Sequence, residues 1–196
     1  MFVPPSTLWK TRKWHWISGD VVNIDWNVTI AGSGAVTPND TINGGYLVNA
    51  ISGGPELNYN LIRHYDFNGC IWLAEVQQIT TTAQNLLWGM TAANRLPAMF
   101  NGVIAGSSTS IFATNWRFTT NDGGASNTDS DTGVAFDALI HSHQLELNGS
   151  NATYKLDGVL IDTITTTLPT AALQPIAFAD GVAKSYRIRQ IEAYNT

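Results

Sequence analysis

Residues 154–163 read YKLDGVLIDT. Tyr154 and Leu156 alternate with Lys155, and Val159 and Ile161 alternate with Leu160 and Asp162, so two strand-like runs meet at Asp157-Gly158. An Asp-Gly pair between alternating runs signals a hairpin, because a type I′ turn needs positive φ at both central residues. Asp157 and Gly158 are therefore read as a structural turn and not as site residues. Extended upstream, HQLELNGSNATYKLDGVLIDTITT reads as a three-stranded meander whose inward residues are Leu145 and Leu147, then Tyr154 and Leu156, then Val159 and Ile161.

The same grammar runs through the rest of the chain. GGYLVNAISGGP is a short strand bounded by glycines, and YNLIRHYDFNGCIWLAEVQQI is two strands with Asn68-Gly69 as a second type I′ candidate between them. TAQNLLWGMTAANRLPAMFNGVIAG is cut by Gly89, Pro97 and Gly102 into short strands and loops. SIFATNWRF gives a strand through Ile111 and Trp116, followed by a polar loop from Asn121 to Gly133, and KSYRIRQIEAYN supplies a closing strand. Many short strands with turn signals every ~8 to 12 residues, and no apolar helical period, predict an all-β chain of two antiparallel sheets packed face to face. Residues 1–13, with Pro4-Pro5, form an extended N-terminal arm, and residues 14–196 form one sandwich domain.

Composition narrows the function. Of the 196 residues 44% are hydrophobic but only 13% charged, so Thr, Asn, Ser and Gly must cover much of the surface. A net charge of −5 and a pI near 5.1 argue against nucleic-acid binding, which depends on clustered Lys and Arg. No run approaches the ~18 apolar residues of a membrane-spanning helix, and the N-terminus lacks the order of a signal peptide. A surface rich in small polar residues without a secretory signal suits a virion component released by lysis, with a cytoplasmic protein or a domain of a larger chain as the alternatives. Cys70 is a lone cysteine between apolar neighbours and reads as a small buried hydrophobe.

The order NW…SDTGV…HSHQLELNGSNATYKLDGVLIDTITTTLPTAALQPIAFAD…YRIRQIEAYN resembles the concanavalin A-like lectin/glucanase superfamily, the laminin-G-like jelly rolls, in the versions found in phage and viral structural proteins. The resemblance covers roughly residues 110–196 and implies a concanavalin A-like jelly-roll sandwich. It also raises the question of catalysis. Glucanases of this superfamily carry Glu-x-Asp-x-Glu on one strand, and retaining glycosidases need two carboxylates about 5 to 5.5 Å apart. This chain has no such run. Asp129 and Asp131 fall in the polar loop, and Glu146 and Glu192 stand alone as outward residues. No catalytic residue and no enzymatic activity are expected.

Asp129 and Asp131, with Asn127, are a weak metal candidate, but their spacing to Gly133 and Ala138 fails the EF-hand pattern, so no metal or cofactor is expected. His141 and His143 share a strand face and lack a third ligand. Among the seven tryptophans, Trp26, Trp72 and Trp116 sit in apolar alternation and belong to the core. Trp9, Trp14 and Trp16 lie beside Lys10, Arg12 and Lys13, and this exposed aromatic and basic cluster is the candidate partner or oligomer interface. The expectation is a non-enzymatic virion structural protein, a capsid decoration protein or head or tail fibre module, that attaches to capsid or tail proteins through this arm. It could self-associate as a symmetric oligomer such as a trimer and contact host glycans. The alternatives are a lectin-like carbohydrate-binding module and, less favoured, a glucanase or polysaccharide lyase.

Overall fold

A computed structural model describes residues 13–15, 26–30, 33–38, 46–52, 55–59, 65–79, 85–92, 100–108, 111–180 and 184–196. In chain order the strands are β1 (Lys13–His15), β2 (Trp26–Ile30), β3 (Ser33–Pro38), β4 (Tyr46–Ser52), β5 (Pro55–Tyr59), β6 (Cys70–Gln78), β7 (Asn85–Thr91), β8 (Asn101–Ser108), β9 (Asn115–Asp122), β10 (Thr128–Ala135), β11 (Ile140–Leu147), β12 (Ala152–Leu156), β13 (Val159–Ile164), β14 (Gln174–Asp180) and β15 (Lys184–Asn195). They form two antiparallel sheets. One runs β13-β12-β11-β6-β15-β4-β3 with β1 also paired to β15, and the other runs β10-β9-β8-β7-β14-β5-β2. Among the described residues no helix is long and apolar enough to cross a membrane.

Alternation builds the core. On β6 the residues Cys70, Trp72, Ala74, Val76 and Gln78 are buried, while Ile71, Leu73, Glu75 and Gln77 are half-exposed. The inward sides of the two sheets meet around Trp88 and Trp116, whose rings cross edge-on at 5.8 Å. His143 contacts both indoles at 4.9 and 5.1 Å, and Phe118 lies against Tyr154 at 5.5 Å. Trp72, Trp88 and Trp116 are each at most 1% exposed. Each indole withdraws roughly 200 Å² from water, about 5 kcal/mol at ~25 cal/mol per Å². Trp72 and Trp116 are core residues as expected, and Trp88 joins them. Trp26 lies on β2, where only the backbone is described.

Four local expectations are corrected. The turn near Asn68-Gly69 is centred one residue earlier: Gly69 N–H donates to the Asp66 carbonyl at 3.2 Å, and neither Asn68 nor Gly69 has positive φ. The Asp66 carboxylate accepts the Asn68 N–H at 2.9 Å and sets this alternative. The strand through Trp116 begins at Asn115, and Ile111 sits in a turn, 43% exposed. Much of the polar stretch 121–133 is not loop, because Thr128–Ala135 is an edge strand paired with β9. The inward row on β13 also breaks. Tyr154 pairs with Asp162 and Lys155 with Leu160, so Ile161 is a bulge residue, though it still packs half-buried against the core as expected. Val159 is 63% exposed, and Ile164 fills the core position opposite Ala152.

Candidate functional site

The β12–β13 hairpin turns at Asp157 (φ +51) and Gly158 (φ +80). Left-handed backbone at both positions is what Asp-Gly accommodates, and it aims the Asp157 carboxylate back across β11. Asp157 Oδ2 lies 2.6 Å from His141 Nδ1, and Asp157 Oδ1 accepts the Ser142 N–H at 2.8 Å. The Asp157 N–H in turn donates to the Ser142 carbonyl at 2.8 Å. His141 Nε2 lies 2.9 Å from Asp137 Oδ1. The corner residue therefore also clamps both the inward histidine and the backbone of the outward serine.

Electrostatics separate the two histidines. Burial lowers the proton affinity of His141, but the hydrogen bonds and charges of Asp157 and Asp137 outweigh it and hold the ring above the ordinary histidine range. Asp157 and Asp137 lie below the ordinary carboxylate range: burial opposes this, and their bonds from His141 and from backbone N–H groups dominate. His143, fully buried and repelled by His141, is pushed down to about 3. Its Nδ1 sits 2.6 Å from the Tyr154 hydroxyl, whose own ionisation burial pushes up. An imidazole between two carboxylates and a neutral one among indoles thus stand two residues apart on β11.

On the outer side of the same sheet lies a half-open pocket of about 110 Å³ lined by Leu73, Ala74, Glu75, Ser142 and Glu192. Three strands supply it. Ser142 on β11 is directly opposite Glu75 on β6, and Leu73 on β6 is opposite Glu192 on β15. A bulge between Arg189 and Ile191 sets the parity of β15, so Ile191 and Ala193 face the core and Glu192 faces out. Glu192 nevertheless is only 5% exposed, which corrects the expectation of an isolated surface carboxylate. Glu146 is also only half-exposed and pairs with Lys155 at 3.2 Å. Nearby, Arg187 Nη1 donates to Gln77 Oε1 at 3.0 Å, and Gln77 Nε2 to the Ala138 carbonyl at 3.1 Å.

The other sequence candidates fall elsewhere. Asp129 accepts from Arg117 Nε at 2.8 Å, Arg117 Nη2 at 2.5 Å and Thr119 Oγ1 at 2.6 Å, all on one oxygen. Asp131 accepts from Asn115 Nδ2 at 2.8 Å and Gly133 N–H at 2.9 Å. Among the described residues no group of three or more His, Cys, Asp or Glu is arranged to hold a metal ion. Cys70 is buried, and that burial, with the charge of Asp66, raises its pKa to about 12. Lys13 and Trp14 lie on β1, in register with Ala193 and Glu192, whereas Trp9, Lys10, Arg12 and Trp16 lie outside the described residues.

No protein-family model and no curated protein matches the chain. Solved structures do. The carbohydrate recognition domain of Emp46p, in its metal-free form, matches with a TM-score of 0.65 over 93% of this chain and 98% of that one, at 11% identity. A Bacillus licheniformis β-glucanase matches at 0.61 over 93% and 98%, with 14% identity. The fold is a concanavalin A-like jelly roll. A carbohydrate esterase from the Shiga toxin-encoding bacteriophage phi24B shares the jelly roll at 0.56 over 87% and 90%, with 14% identity. The chain spans only 17% and 42% of the lengths of two longer structures it matches, a sialidase and a botulinum neurotoxin binding domain. Enzymes and binding domains share this jelly roll, so its function must be argued from the side chains.

Proposed function

We propose that the protein is a non-enzymatic, lectin-like binding module of a virion surface, which holds a glycan at the Leu73–Glu75–Ser142–Glu192 pocket. The observation that carries this reading is the pocket's lining: the Leu73 side chain beside two carboxylates, Glu75 and Glu192, and the Ser142 hydroxyl. Carboxylates accept from sugar hydroxyls and a serine hydroxyl both accepts and donates, while an aliphatic side chain meets the C–H face of the ring. At about 110 Å³ the pocket is well below the ~300 Å³ of a typical small-molecule cleft, so it suits the edge of a terminal sugar and weak, repeated binding. Its acids stand on neighbouring strands and not as a Glu-x-Asp-x-Glu run on one, which favours holding a sugar over cleaving it. Structural likeness to a carbohydrate recognition domain and to a phage carbohydrate esterase supports the glycan and the viral setting.

A glycan array followed by calorimetry on wild type, Glu192→Gln and Ser142→Ala tests this. Binding that both substitutions weaken supports the reading; no binding across the array removes it, and sugar release from a polysaccharide panel replaces it with catalysis. Attachment to the particle is assigned to the segment preceding β1, because Lys13–His15 is already held against β15. Removing residues 1–12 should leave the sandwich folded and abolish incorporation into particles. Normal incorporation of the truncated protein would refute that assignment.

A further inference from the structure

The chain contains four Asn-Gly pairs, at 43–44, 68–69, 101–102 and 148–149, of which the first lies outside the described residues. The other three stand in very different surroundings. Asn101 opens β8 with both ends of its amide engaged. Its Nδ2 donates to the Asp122 carbonyl at 2.8 Å and to Thr170 Oγ1 at 2.9 Å, and its Oδ1 accepts the Thr170 N–H at 3.0 Å. Gly102 is buried in the ladder between β7 and β9. Asn68 is exposed, but the following Gly69 is buried with its N–H already donated to Asp66 and its carbonyl taken by Thr196 N–H at 3.0 Å.

Asn148 differs from both in the glycine that follows it. It sits at the tip of the β11–β12 hairpin, exposed together with Gly149 and Ser150. Gly149 has φ +81, and no described acceptor engages its N–H. Three donors converge on Asn148 Oδ1: Ser150 N–H at 3.1 Å, Ser150 Oγ at 3.1 Å and Asn151 N–H at 3.0 Å. No described partner holds the Nδ2 group. Donors gathered on a carbonyl oxygen stabilise negative charge that develops there when a nucleophile adds to its carbon. A neutral amide oxygen uses such a cradle less well than a carboxylate does.

We infer that Asn148 is a self-modification site, converting through a cyclic imide to aspartate or isoaspartate. The Gly149 nitrogen gives its proton to solvent base and bonds to Asn148 Cγ, with the developing oxyanion on Oδ1 facing the three donors. The Cγ–Nδ2 bond breaks and the nitrogen leaves as ammonia after taking a proton. Water then adds to one of the two imide carbonyls and reopens the ring, so the sum is amide plus water giving carboxylate and ammonium. Opening at the side-chain carbonyl places a carboxylate in the existing cradle. Opening at the main-chain carbonyl adds a methylene to the backbone next to Leu147 and Ala152, which pair across the hairpin and are buried.

The test is incubation of the whole protein in mildly alkaline buffer made with heavy-oxygen water, followed by peptide mass mapping. The Asn148 peptide should gain about 1 Da of mass plus the oxygen label, at least about tenfold faster than the Asn68 and Asn101 peptides, while in urea the pairs converge. Ser150→Ala, at an exposed position, should slow conversion about two- to tenfold, the worth of one net hydrogen bond. An Asn148 peptide that stays unchanged, the same ordering in the unfolded chain, or a Ser150→Ala protein that converts as fast as wild type would overturn the assignment.

Discussion

Replacing His143 and Tyr154 together, by leucine and phenylalanine, removes an acid-sensitive group from the core. His143 is fully buried, and its pKa of about 3 lies far below the ordinary 6.5 of the unfolded chain. As pH falls through 6.5 the unfolded chain takes a proton that the native ring refuses, so the stability His143 contributes is present above 6.5 and is lost progressively towards 3. Each pH unit in that window costs about 1.4 kcal/mol, so moving from about pH 7.5 to about pH 4.5 should cost the wild type roughly 2.7 kcal/mol through this group. His141 has the opposite sign. Its raised pKa adds stability that is complete below 6.5 and is lost as pH rises through the folded value, so it offsets part of the acid loss. Because both proteins keep His141, urea unfolding of wild type and of His143→Leu/Tyr154→Phe at the two pH values isolates His143. The wild type should lose about 2 to 3 kcal/mol more than the double variant. Equal losses would refute the reasoning. The single change Tyr154→Phe, which strips His143 Nδ1 of its 2.6 Å partner, should cost about 1 to 3 kcal/mol, because it orphans a buried polar atom.

Two further outcomes follow from packing. Asp129→Ala leaves the Arg117 side chain, only 7% exposed, without its carboxylate and should lower stability by about 3 kcal/mol in chemical denaturation; a change under ~0.5 kcal/mol would show the pair to be inert. Gly106→Ala places a Cβ 1.9 Å from the Leu86 carbonyl oxygen in the β7–β8 ladder, so more than about 3 kcal/mol should be lost. Soluble Gly106→Ala protein with wild-type thermal stability would contradict the clash.

Much of the architecture was legible because period-2 alternation is a local property. Leu145, Leu147, Tyr154 and Leu156 face the core as their parity requires, and the hairpin corner at Asp157-Gly158 takes positive φ at both residues. Errors arose where a single added residue or a side-chain bond resets parity or turn position. The bulge at Ile161 leaves Val159 exposed and gives Ile164 the core position, and the Asp66 carboxylate draws another turn away from Asn68-Gly69. The strand β10 was hidden in a run of Asp, Ser and Thr because most of its more buried row, Thr128, Ser130 and Thr132, is polar, while Asp129 and Asp131 on its exposed row bond Arg117, Thr119 and Asn115, so no apolar period marks it.

The sequence alone determined an all-β chain with glycine-marked corners, a low charge density, a core built on Trp72 and Trp116, and the absence of any single-strand carboxylate triad. Only the tertiary structure decided that Glu75, Ser142 and Glu192 share one pocket, that Asp157 joins His141 to Ser142, and that His141 and His143 have opposite proton affinities. Alternation tells which way each side chain points, but which strands lie side by side is set by how the intervening chain closes into two sheets. A carboxylate's chemistry depends on those neighbours, which the chain brings together only when it folds.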